Sequence, residues 1–144
     1  GQFVAHVAAL PGNPYDGHTL ANVIPAMEAL IGNTIERLIA DKGYRGHNAP
    51  PDYKFRVFTT GQKRRMTPAI KREMKRRSAV EPVIGHLKED HRMGRNYLAH
   101  RAGDAANAVL AAAGYNFRRL LRWLKLLLRL ILWRLFAALQ LYPA

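Results

Sequence analysis

The chain has no cysteine, which excludes disulfide staples and thiolate metal sites and is compatible with a reducing compartment. Acids are scarce. Ten Asp or Glu face 23 Lys or Arg, the formal charge is +13, and no acid follows Asp104. That balance disfavours an acidic small-molecule substrate and favours a polyanion, either nucleic acid or an anionic membrane surface. Long uncharged apolar runs are missing too: those in the C-terminal segment fall short of the ~18 residues a membrane span needs. There is no internal repeat. Neither an initiator Met nor the charged start and cleavage site of a signal peptide stands at the beginning, so a piece lacking its own start, located in the cytoplasm, is expected.

What is present is enough for one compact domain, with 144 residues of which 49% are apolar. Phe3, Val4, Val7 and Leu10 alternate imperfectly and predict a strand, closed by a turn at Pro11-Gly12-Asn13-Pro14. Leu20, Val23, Ile24, Met27 and Leu30 repeat at helical spacing and predict a helix over 19–30, with Pro25 as a defect and Gly32-Asn33 as its stop. Branched residues over 34–40 predict a strand that runs into a glycine-bearing loop, and 55–60 predicts another short strand. From Thr67 onward a long helix is expected, kinked or restarted at Pro82. After a loop over 93–103, an Ala-rich run leads into 115–141, where Arg118, Arg122, Lys125 and Arg129 form a basic stripe opposite leucines. That last helix can pack on its own domain, dimerise or lie on a membrane surface.

Two carboxylates stand out. Glu81 lies four residues after Arg77 and seven before Lys88, spacings that a continuous helix aligns on one face. Upstream, from Lys63 to Arg77, eight Lys or Arg residues accompany one acid, Glu73. The runs Lys63-Arg64-Arg65 and Lys75-Arg76-Arg77 read either as solvated charge or, given so few balancing acids, as phosphate contacts. Asp41 sits where a strand meets the loop, an edge at which open α/β sheets place functional groups. Each acid also has a plain reading: an Asx turn for Asp41, and a capping box Ser78-Ala-Val-Glu81 for Glu81. Together, hard oxygen ligands beside a basic run suit Mg²⁺ and in-line attack on a phosphodiester. Asp16 and His18 read as turn and cap residues, and the scattered histidines as surface or buried hydrogen-bonding groups.

Three segments, Gly12-Asn-Pro-Tyr-Asp-Gly-His-Thr-Leu20, Asp41-Lys-Gly-Tyr-Arg-Gly-His47 and Arg77-Ser-Ala-Val-Glu-Pro-Val-Ile-Gly-His-Leu-Lys88, resemble the DDE transposases of bacterial insertion sequences, in the group named after insertion sequence five. His91 to Tyr97 and Asp104 to Asn116 are similar to the C-terminal part of the same group. The resemblance implies an α/β fold: part of a ribonuclease-H-like domain, a mixed sheet with flanking helices, followed by a long amphipathic helix. It implies a catalytic portion over 1–101 and a helical extension over 102–144. Asp41 is then the second and Glu81 the third of three acids that bind Mg²⁺ or Mn²⁺, while the first acid belongs to a strand preceding this sequence. In the family pattern Tyr-x2-Arg-x3-Glu-x6-Lys, Arg77, Glu81 and Lys88 match and Met74 replaces the tyrosine. DNA, as transposon ends and target, is the implied partner, contacted by Arg45, Lys63, Arg64, Arg65, Arg76, Arg77 and Lys88, with homo-oligomers allowed. The implied activity of the intact enzyme is DNA strand cleavage and transfer, absent from this portion alone. A basic DNA-binding module without catalysis is the alternative.

Overall fold

The structure, a computed structural model, describes residues 2–12 and 14–140. Asn13 of the expected turn and Leu141 at the end of the expected last helix lie outside the described residues. The order is α1 (Leu20–Ile31), β1 (Leu38–Ala40), β2 (Val57–Thr59), α2 (Pro68–Arg77), α3 (Val80–Glu89) and α4 (His100–Gln140), with short 3-10 turns at Asp16–His18, Lys42–Tyr44 and Pro51–Tyr53.

β1 and β2 pair in parallel, with Leu38 opposite Val57 and Ala40 opposite Thr59. Parallel strands need a crossover of about a dozen residues or more, and residues 41–56 supply it with two 3-10 turns in place of a helix. α1 lies over this sheet. Leu20, Ile24 and Val57 form the first core, flanked by Ile35, Leu38, Tyr44 and Tyr53. Pro25 is tolerated in α1 on its solvent side, and Gly32 ends the helix at φ 70°, where a side chain would be strained. The Glu28 carboxylate then accepts the Ile35 N–H and the Tyr53 hydroxyl, so α1, the approach to β1 and the crossover share one anchor.

α2 starts as its sequence dictates, with Thr67 capping Ile70 N–H and Pro68 in the first turn. Three bases, Lys75, Arg76 and Arg77, fill its last turn, where the helix dipole favours cations. The expected long helix is two helices. α2 stops at Arg77, and α3 restarts at Val80 with Pro82 in its first turn, where a missing N–H costs nothing.

α3 crosses α4 through a second core of Leu87, Ala111 and Tyr115, with Val4, Val83 and Met93 around it. The Ala-rich run and the basic leucine-rich run are one helix of 41 residues, about 60 Å long. Its buried residues are Gly103, Ala111, Ala112 and Tyr115, and its distal part is exposed. No helix of the described residues is long and apolar enough to cross a membrane. The expected strand over 3–10 does not form. Val4 instead exchanges both backbone groups with the Asn116 side-chain amide, at 2.9 Å for the Val4 N–H donating to Oδ1 and 2.8 Å for Nδ2 donating to the carbonyl. The alternating pattern is present, but no described strand lies beside it to complete a ladder.

Candidate functional site

Asp41 is the residue immediately after β1, at the carboxyl end of a parallel pair where α/β sheets leave a crevice. Its Oδ1 accepts the Gly43 N–H at 2.9 Å and caps the Lys42–Tyr44 turn, so the Asx-type reading is correct as far as it goes. The other oxygen is engaged differently. Asp41 Oδ2 lies 3.3 Å from Arg77 Nη2, the last residue of α2, and this contact joins the two motif segments across 36 positions of sequence. The pair is partly open, with the Asp41 side chain 46% exposed.

Asp16, read from the sequence as a turn residue, comes to the same place. A Cβ on Gly43 would stand 3.0 Å from Asp16 Oδ2 and 3.1 Å from Asp41 Oδ1, so the absence of a side chain there lets two carboxylates flank one backbone atom. Tyr44 feels both: burial first, then the charges of Asp16 and Asp41, push its hydroxyl pKa up. The available signal was the Asp-Gly-His triplet after the turn cluster, which sequence spacing alone does not connect to Asp41.

Glu81 stands in the first turn of α3, four residues beyond Arg77 but across the break between helices. The capping box does not form. Ala79 is the N-cap, and the Ser78 hydroxyl donates to Lys75 O at 2.7 Å rather than to α3. Glu81 is exposed, has no ion pair among the described residues, and sits at the positive end of the α3 dipole. Because the helices break at Ser78-Ala79, Arg77 is not aligned with Glu81 and Lys88 on one continuous helix face. Glu81 and Lys88 share α3, and Lys88 is exposed near its end.

The basic residues divide by what they touch. Glu73, the one acid in the run, is taken by Arg37 just before β1, which ties α2 to the sheet and leaves the rest of α2 positive. Lys63, Arg64 and Arg76 are exposed. Arg65 is engaged within the fold: its guanidinium donates to Phe55 O at 2.8 Å and covers the Phe55 ring at 4.7 Å. Arg45 lies against the turn after β2, its Nη2 2.8 Å from where a Cβ on Gly61 would be. Arg45 and Arg77 therefore flank the carboxyl end of the sheet.

For a divalent ion the donors at this edge are of the right kind, hard carboxylate oxygens from Asp41 and Asp16, with Glu81 on the helix beyond Arg77 and in no recorded contact with either. Their number is short: among the described residues no three His, Cys, Asp or Glu side chains are grouped so as to hold a metal. Arg77 occupies one Asp41 oxygen in their place.

The sequence model of the Transposase DDE domain family matches residues 41–121, from Asp41 through Arg77, Glu81 and Lys88 into α4. The chain belongs to this DDE transposase family, whose activity is DNA cleavage in transposition. No curated protein and no solved structure matches it.

Proposed function

We propose that the chain is the C-terminal part of the catalytic domain of an insertion-sequence transposase, in the insertion sequence five group, and that Asp41 and Glu81 are its second and third metal-binding acids. The observation that carries the reading is the Asp41–Arg77 contact, which brings the loop after β1 to the α2–α3 junction one turn before Glu81. The parallel strands with α1 on one side and α2 beyond are compatible with part of a ribonuclease-H-like domain; the division into a catalytic portion over 1–101 and a helical extension over 102–144 belongs to the same reading.

Mg²⁺ or Mn²⁺ bound with a third acid would polarise the scissile phosphodiester and lower the pKa of the attacking water or 3′-hydroxyl. In this reading Arg77, Arg45, Lys88, Arg76, Lys63 and Arg64 contact DNA phosphates, while Arg65 holds its loop against Phe55. Two assigned acids without a third make an incomplete ligand set, so this chain alone binds DNA and does not cleave it. DNA as partner places the protein in the bacterial cytoplasm.

The test is Mn²⁺ titration of the chain, followed by electron paramagnetic resonance, in parallel with Asp41→Asn and Glu81→Gln. Weak binding reduced in both variants is expected. Binding insensitive to either substitution would remove both residues from the metal site.

A further inference from the structure

Beyond Trp123, whose ring meets Phe3, the distal part of α4 is covered by nothing among the described residues. From Leu120 to Leu139, fourteen large apolar side chains are 43% to 70% exposed. Nine of them, with Phe117, fall on one half of the helix and present on the order of 1,000 Å² of apolar surface, at or above the ~800 Å² that each partner commits to a standard interface, while Trp123, Leu126, Leu130, Trp133 and Phe136 lie outside that half. A monomer in water does not ordinarily leave such a surface open.

The pattern within this surface says what covers it. Phe117, Leu121, Leu124, Leu128, Ile131 and Leu135 alternate at spacings of four and three, the repeat of a coiled-coil seam, and no charge interrupts them. With about 100° per residue, the body-facing positions Asn116, Arg119 and Trp123 lie roughly 130° round the helix from this seam. Those three touch the N-terminal segment: Asn116 holds Val4, and Phe3 packs edge-on against Trp123 at 5.1 Å, with Arg119 beside it at 6.0 Å. The seam therefore faces away from the domain, so a partner helix laid on it meets no obstruction from the body.

We propose that α4 is a self-association helix, through which a second copy of this chain packs in parallel along the Phe117–Leu135 seam. The charges permit it. Arg118, Arg122, Lys125 and Arg129 lie in a stripe about 60° wide beside the seam, not in it. In register, Lys125 meets Leu120 of the second copy and Arg134 meets its Leu139, so no like charges are opposed across the contact. A bilayer surface suits the same helix less well. Arg134 falls about 150° from the centre of the basic stripe, so with that stripe at the headgroups this guanidinium would take the most deeply buried azimuth.

The assembly is independent of the acids at the sheet edge, and its test does not involve DNA. Chain freed of nucleic acid by nuclease and high salt is examined by light scattering and sedimentation over a wide concentration range. The expected result is an assembly of two or more copies, insensitive to salt, which Leu124→Glu with Ile131→Glu dissolves to monomer. Helix content by circular dichroism in those variants reports that the domain is intact, since both positions are exposed. Lys125→Glu with Arg129→Glu, off the seam, leaves the assembly in place. A monomer at every concentration, an assembly that survives the seam substitutions, or a monomer that co-sediments with phosphatidylserine vesicles would each overturn the proposal.

Discussion

Asp41 and Arg77 form a half-open ion pair, 3.3 Å between Oδ2 and Nη2, in which the arginine ends one helix and the aspartate directly follows one strand. Its geometry separates a contribution to stability from one to binding. Exposed pairs of this kind are worth about 0–1 kcal/mol, so Arg77→Ala should shift the urea midpoint only slightly. Affinity for duplex DNA should fall more clearly, because a phosphate-facing cation is lost. A large stability loss with unchanged DNA binding would make Arg77 a structural residue only.

Glu81→Gln is expected to leave folding almost untouched. The side chain caps nothing, and loss of its favourable place at the α3 N-terminus costs about 0.3–1 kcal/mol. In the intact enzyme the same change should abolish metal-dependent strand cleavage while DNA affinity stays equal or rises, since a negative charge near phosphates is gone. Cleavage at the wild-type rate in Glu81→Gln would show that the reacting ion is held elsewhere.

Most of the elements were legible because their periodicities are local. The α1 stripe, the two short strands around Asp41, and the restart at Pro82 all follow from spacing and from proline and glycine chemistry. The strand over 3–10 was read from the same kind of pattern and does not form, since a ladder needs a neighbour and Val4 is given Asn116 instead, 112 positions away. The capping box failed for a local reason: Ser78 is the C-cap of α2, and its hydroxyl turns back to Lys75. Asp16 beside Asp41 was not legible at all, because it depends on how the crossover folds over Gly43. Likewise Arg65 counts as one more cation in a basic run until its partner Phe55 is seen.

That distinction within the basic loop gives a salt-dependence prediction. Each phosphate contact contributes roughly −0.9 to the slope of log K against log salt on duplex DNA. Lys63→Ala with Arg64→Ala should flatten the slope by up to about two such contributions. Arg65→Ala should act chiefly on the loop, lowering thermal stability through the lost Phe55 contacts and changing the slope little. Equal slope changes from all three would return Arg65 to the DNA-facing set.

Gly114 is a packing requirement hidden in the Ala-rich run. A Cβ there would approach His91 Nδ1 to 2.9 Å, with the His91 ring set edge-on against Tyr115 of the second core. Although alanine is the better helix former by about 1 kcal/mol, Gly114→Ala should destabilise, because overpacking costs typically 1–3 kcal/mol. His91→Ala in the same chain should recover most of that loss, a coupling that a double-mutant cycle in urea measures directly. Stabilisation by Gly114→Ala alone would mean that His91 has room to move away.

The Glu28 anchor predicts how the fold responds to acid and base. Its carboxyl pKa lies below the usual value of 4.5, first because Tyr53 donates a hydrogen bond to it and then because Ile35 N–H does. A lowered folded-state pKa means stability that is present above the unfolded value and drains away as pH falls below about 4.5 toward the folded one. Tyr53 is the mirror case: Glu28 raises its pKa above 10.0, so that contribution holds below pH 10 and disappears as the phenol ionises above it. Glu28→Gln should therefore flatten the acid side of a stability–pH profile, and Tyr53→Phe the alkaline side, each measured as the urea midpoint against pH. An acid limb unchanged in Glu28→Gln would assign acid sensitivity to Asp90 instead, whose carboxylate is held ionised by His86 first and Arg118 second at the α3–α4 crossing.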